Sequence, residues 1–145
     1  MITYIREDPT LSPRDFDDFF VGWRKRPSSK TALRAVTSSY RYVVARDNSE
    51  GGGGRMVGFV SAVSDGVLCA YIPFLEVLPQ YQGKGIGTEL MRKLLEELSG
   101  VYMVDLTCDP GMQSFYARFG MVPATAMTIR NDDALSQAEK RKSVS

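Results

Sequence analysis

The chain contains no histidine. Ser-His-Asp and Cys-His nucleophile systems are therefore excluded, as are zinc and iron sites ligated by imidazole. A general base has to be a carboxylate, a tyrosine, a lysine, a cysteine or a water chain. Cysteine is nearly as scarce, and neither Cys69 nor Cys108 belongs to a C-x-x-C pair. Zinc ribbons, thioredoxin-type redox motifs and disulfide scaffolds drop out on that ground. No signal-peptide pattern opens the chain, so a reducing, cytoplasmic setting is expected. No run reaches the ~18 consecutive apolar residues of a spanning helix, and no membrane partner is expected. Net charge is lacking too: 18 Lys plus Arg against 17 Asp plus Glu leave +1. Such a balance supplies no global field that would draw in nucleic acid. What is present is 145 residues, 43% hydrophobic, with 13 glycines. That suits one domain whose core needs no staple.

Residues 2–6 alternate apolar and polar side chains, as a first strand does, before a turn at Asp8-Pro9. Ser12 and Pro13 are suited to cap and open a helix. In it Phe16, Phe19, Phe20 and Trp23 fall at i, i+3, i+4 and i+7, an aromatic stripe. Its plain reading is core packing; its functional reading is that part of it walls a substrate pocket. Asp15, Asp17 and Asp18 lie largely off the stripe and read as a solvated face. A weaker helix is expected over 29–39, then strands over 40–46 and 56–64, with a glycine-rich connector at 48–54 between them. Asp65-Gly66 turns the chain into the next strand, 67–78. Helical spacing returns from 85 to 98, stopped by Gly100. A short strand at 101–107, a helix opened by Asp109-Pro110 and a last strand at 121–130 complete the order. Residues 131–145 are polar and read as a frayed tail or weak terminal helix outside the 1–130 domain. The order β-α-α-β-β-β-α-β-α-β predicts a single-domain α/β fold, a mixed central sheet with helices on both faces.

The informative segment is Gln82-Gly83-Lys84-Gly85-Ile86-Gly87-Thr88, set between a strand and a helix. Alternate glycines let a bulky anion approach the backbone. The helix start adds unpaired N–H groups and partial positive charge, so the segment suits a phosphate or pyrophosphate. It is not a P-loop, since no G-x-x-x-x-G-K-[ST] occurs. Nor is it a dinucleotide fingerprint, because the third glycine comes one residue too early and three strands precede it.

Gln82-x-x-Gly85-x-Gly87 resembles the Q/R-x-x-G-x-G/A signature of the GNAT N-acetyltransferases. Leu75-Glu76-Val77-x-Pro79-x-Tyr81 resembles the strand and turn that lead into that signature. Asp109, followed by Phe115-Tyr116-Ala117-Arg118-Phe119-Gly120-Met121, resembles the family's N-x6-Y-x3-G-F ending. The resemblance spans residues 2–130 and implies the GNAT acyltransferase fold, with acetyl-CoA or another acyl-CoA as co-substrate and no metal. It implies that amides of Gln82, Gly83, Lys84, Gly85, Ile86 and Gly87 hold the pyrophosphate, with Thr88 extending the turn. Leu75 and Val77, with Glu76 between them, would pair with pantetheine along a splayed strand. Asp109 stands where the family commonly has Asn; it reads as a helix cap among the cofactor contacts.

Amide formation needs a free amine, a polarised thioester carbonyl and a proton for the leaving thiolate. Tyr116 matches the family's proton donor, and its ordinary pKa of about 10 keeps it protonated. The Val77 N–H would polarise the carbonyl. Glu76 is the first candidate base, Asp105 the second, and an ordered water the alternative to both. Cys108 reads as a small packed residue rather than an acyl carrier. The expected function is transfer of an acetyl group to a primary amine of a small molecule. Acetylation of a protein or peptide, or acyl-CoA binding without catalysis, are the alternatives; a homodimer is compatible with the sequence and not required by it.

Overall fold

The computed structural model describes residues 1–49, 51 and 53–140. Positions 50 and 52 of the glycine-rich connector, and 141–145 of the expected tail, lie outside the described residues. Five strands, β1 (Ile2–Arg6), β2 (Arg41–Asp47), β3 (Arg55–Ser64), β4 (Cys69–Val77) and β5 (Met103–Asp105), form one sheet in chain order. Four helices accompany them: α1 (Ser29–Thr37), α2 (Ile86–Glu97), α3 (Gln113–Ala117) and α4 (Asp132–Lys140). The first three strand junctions are antiparallel and the β4–β5 junction is parallel. A parallel junction needs a crossover, which α2 supplies.

Alternation along β3 sorts the two layers. Phe59 meets Phe16 and Phe19 edge-on at 5.3 and 5.2 Å on one face. Gly58 lies toward the other, where a Cβ would come within 3.1 Å of Leu90 in α2. The mixed sheet covered on both faces is the architecture expected.

Two elements within it differ. The expected helix from Ser12 is only a 3-10 turn, Pro13–Phe16. The chain then bends at Phe20 (φ +63°) and Gly22 (φ +85°), conformations no helix contains. Successive turns, Phe19 N–H to Phe16 O and Trp23 N–H to Phe20 O, replace the helical ladder. Phe16, Phe19 and Phe20 still enter the core, but Trp23 is 48% exposed. The expected last strand at 121–130 pairs with nothing among the described residues. β5 offers only three residues, so its outer edge stays open beside a cavity of about 1030 Å³ under α3. Val122, Met127 and Ile129 are exposed along this segment. α4 then docks on the loop before α1 through Arg24 with Asp132 (2.7 Å) and the Ser28 N–H with Glu139 (3.0 Å).

The N-terminal turn is fixed by a buried charge cluster. Arg46 on β2 donates to Asp8 (2.7 Å) and to both oxygens of Asp15 (2.9 and 3.1 Å), and Asp15 also accepts from the Ser12 N–H. Burial pushes the Asp8 carboxyl up, but hydrogen bonds from Thr10 and Arg46 hold it below its ordinary value. Removing the cation leaves two carboxylates without their partner. Arg46→Met should cost about 3–5 kcal/mol in guanidinium unfolding near neutral pH. In the wild type this network acts above the carboxylate range and weakens as pH falls through the lowered pKa. The gap between the two proteins should therefore narrow on acidification.

Candidate active site

β3 and β4 stay in register from Gly58 opposite Val77 to Ser61 opposite Phe74, then slip so that Val63 faces Tyr71. Ile72 and Pro73 thus oppose the single Ala62, a bulge that bends β4. Pairing with β5 ends at the same place, Tyr71 opposite Asp105 being its last rung. The Tyr71 hydroxyl meets Thr107 Oγ1 at 2.6 Å and pins this fork. Pro73 suits the bulge because it has no N–H to leave unpaired.

The phase of the ladder decides which backbone groups face the opening. Leu78 N–H donates to Val57 O at 2.8 Å, so Glu76 and Phe74 exchange bonds with β3. Leu75 and Val77 turn their N–H and C=O groups the other way, where β5 no longer follows. A cavity of about 550 Å³ occupies that gap, lined among others by Trp23, Pro73, Leu75, Cys108, Asp109 and Tyr116.

At the far end of β4, a 3-10 turn (Pro79–Tyr81) leads into the glycine segment. The Gln82 side chain donates to Val77 O at 3.0 Å, closing the strand end rather than reaching outward. Gly83 (φ +76°) and Gly85 (φ +84°) face open space, with no atom within 4 Å of where a Cβ would sit. The first helical bond of α2 runs from Glu89 N–H to Gly85 O, so the amides of Ile86, Gly87 and Thr88 precede the ladder. Gly87 differs from its neighbours: a Cβ there would touch Phe115 and Val77 at 3.7 and 3.8 Å. Those are ordinary van der Waals distances, so a methyl group fits between α2, β4 and α3 there. Lys84 lies over the Tyr81 ring at 5.4 Å, and the Tyr81 hydroxyl donates to Asp47 at 2.6 Å.

Glu76 projects onto the Phe59 face. Its Oε1 accepts from the Phe20 N–H at 3.0 Å, while Oε2 is buried without a partner among the described residues. Burial pushes its pKa up, against the Phe20 N–H and the more distant Arg26. Tyr116, on α3, packs edge-on against Phe115 at 5.0 Å. Its pKa is also raised, by burial and then by Cys108, and its hydroxyl makes no hydrogen bond among the described residues. Asp105 is exposed, so the burial expected to turn it into a base is missing. Asp109 precedes the short 3-10 turn Pro110–Met112, yet its side chain makes no cap bond; the capping role does not hold. Cys108 is exposed, contrary to a packed thiol.

Comparison with known proteins is decisive for kinship. The model of the acetyltransferase (GNAT) family matches residues 6–121. The chain belongs to the GNAT family. A crystallised protein of Deinococcus radiodurans described as an acetyltransferase is 36% identical, with a TM-score of 0.84 over 98% of this chain and 94% of that one. Serotonin N-acetyltransferase 2, chloroplastic, of Oryza sativa subsp. japonica is 31% identical over 69% of this chain and 50% of its own. Histone acetyltransferase TAP1 of Glycine max is 34% identical over 69% of this chain and 46% of its own. The chain spans about half the length of these curated relatives.

Two contributors to this candidate site escape a reading of local sequence. The Phe20 N–H on Glu76 depends on a backbone conformation no pattern announces. The Gln82 contact with Val77 O is a side-chain detail. The bulge, by contrast, left a trace: a proline inside an apolar strand.

Gly85→Val places a β-branched side chain at φ +84° over the open amides. A loop that relieves strain of about 1–3 kcal/mol by leaving this conformation should bind acetyl-CoA roughly 5- to 150-fold more weakly by calorimetry, before any steric loss. Gly87→Ala, in ordinary contact distance of its neighbours, should change that affinity by less than about threefold.

Proposed function

We propose that this chain transfers an acetyl group from acetyl-CoA to the primary amine of a small molecule. The observation that carries the reading is the β4 opening, bordered by outward-turned backbone, with Glu76 on one face of the strand and Tyr116 at the cavity wall. Acetyl-CoA supplies an activated acyl thioester, and the residues present fit it: open glycines at a helix start for its phosphates, and the outward-turned backbone of Leu75 with the Val77 N–H for its amide arm. Leu75 and Val77 would hold that arm, with the Val77 N–H donating to the carbonyl oxygen. Glu76 would take the proton from the attacking nitrogen. As the N–C bond forms and the C–S bond breaks, the Tyr116 Oη proton would pass to sulfur. Lys84 and Thr88 border the same helix start and belong to the proposed phosphate contacts; Asp109 borders the cavity.

A small acceptor is favoured over a basic peptide by the state of the acidic cluster. Asp15 is bound to Arg46, Asp17 to the Ser29 hydroxyl and Asp18 to Arg55. Only Asp17 keeps a carboxylate without a cationic partner among the described residues, and a single charge makes no track for a run of cationic residues. The names of two relatives point to different acceptors, an indolamine and a histone, so kinship alone does not choose. Low sensitivity of kcat/KM to salt is the expected result for a small amine.

Two further proposals concern the setting. A reducing, cytoplasmic location is supported by two free, exposed thiols. A homodimer is supported by the open β5 edge and the apolar side chains of 121–130. Light scattering should give twice the 16.1 kDa chain mass, and a monomer mass would overturn the dimer.

Tyr116→Phe should lower kcat by about 100-fold or more with KM for acetyl-CoA unchanged. Glu76 acts deprotonated, so activity should fall on acidification through a pKa above the ordinary carboxylate range. That acidic limb should disappear in Glu76→Gln; a limb unchanged by the substitution would remove Glu76 from the mechanism.

A further inference from the structure

The aromatic stripe of the N-terminal segment divides in the folded chain: three rings are buried and Trp23 is not. We infer that Trp23 is the specificity-determining residue of the acceptor site, a platform selecting monoamines carried on a flat aromatic or apolar group. The inference rests on the reading of the β4 opening as the acyl-transfer site.

Trp23 lines the same cavity as Tyr116. Its indole is held rather than loose. It stands edge-on to Phe20 at 5.0 Å and 85°, and tilted on Phe74 at 5.9 Å and 44°. Its backbone N–H bonds to Phe20 O, closing a turn that contains two left-handed residues. An aromatic residue at φ +63° is a costly conformation, retained only where the surroundings impose it. Here it aims the Phe20 N–H at Glu76 Oε1, leaving Oε2 as the acceptor without a partner. One four-residue turn thus sets both the carboxylate and the indole.

A fixed indole face attracts planar rings by offset or edge packing, and ammonium groups through its quadrupole. Arg26 acts electrostatically on Glu76, so a second positive charge beside that carboxylate is repelled. Polyamines and lysine-rich peptides are therefore disfavoured.

Trp23 is the sole tryptophan, so its emission reports on this position alone. Phenethylamine titrated into the CoA-loaded protein should change that emission saturably, whereas spermidine should not. In steady state, Trp23→Ala should raise KM for phenethylamine about three- to tenfold, by more than it raises KM for acetyl-CoA, and Trp23→Phe should restore most of the loss. An unchanged KM in Trp23→Ala, or preferred turnover of spermidine or a lysine peptide, overturns the platform. Should acetyl-CoA bind while no amine is acetylated, the transfer reading falls. Calorimetry of phenethylamine then decides the platform separately: binding weakened in Trp23→Ala upholds it, and absent or equal binding overturns it.

Discussion

The site depends on one interruption of a hydrogen-bond ladder. Where Ile72 and Pro73 bulge against Ala62, β4 ceases to be shared between two neighbours. Backbone groups in a sheet interior are satisfied by the next strand, and unsatisfied ones are expensive unless water or a ligand reaches them. The bulge leaves both backbone groups of Leu75 and the N–H of Val77 in a gap open to solvent, where an amide-bearing molecule can complete the ladder; the Val77 C=O is already taken by Gln82. A central strand becomes a binding edge without exposing the sheet along its whole length.

Positions on both sides of that gap are held by interactions remote from it. Arg46 ties Asp8 and Asp15 to β2, which anchors the 3-10 turn and the aromatic segment behind it. The segment then delivers Phe20 to Glu76 and Trp23 to the cavity. At the other end, Gln82 closes β4 on Val77 O, and Gly87 of α2 lies beside Val77 and Phe115. The two ends of the candidate site are thus set by separate contacts on one strand. A substitution at either end should leave the other in place.

What the sequence discloses follows from the range of the forces involved. The Asp65-Gly66 turn, the amphipathic helix α2 and the glycine segment are local, and each stands where its residues suggest. The aromatic stripe misleads because i, i+3, i+4 spacing measures which residues share a side, not how the backbone brings them there. Arg46, distant in sequence, captures Asp15, and the chain leaves helical geometry by Phe20. The expected strand at 121–130 fails for a similar reason: strand composition is met, but pairing needs a partner, and β5 ends after three residues. Tyr116 and Glu76 are readable as chemical types. Their environments are not, since both depend on packing between segments far apart in the chain.

On the proposed mechanism, one kind of force would prepare an acid and a base together. Burial penalises the charged form of any group. Applied to Tyr116, it raises the pKa of a group already protonated at neutral pH and secures it as a donor. Applied to Glu76, it raises the pKa of a group already ionised and strengthens its grip on a proton. The Phe20 N–H limits the second shift, because a carboxylate with one good donor stays charged more readily than a bare one. Without that bond, burial alone would carry Glu76 toward neutrality, and a neutral carboxylic acid accepts no proton. The left-handed turn at Phe20 therefore supplies the larger of the two influences, with Arg26, that oppose the effect of burial on Glu76.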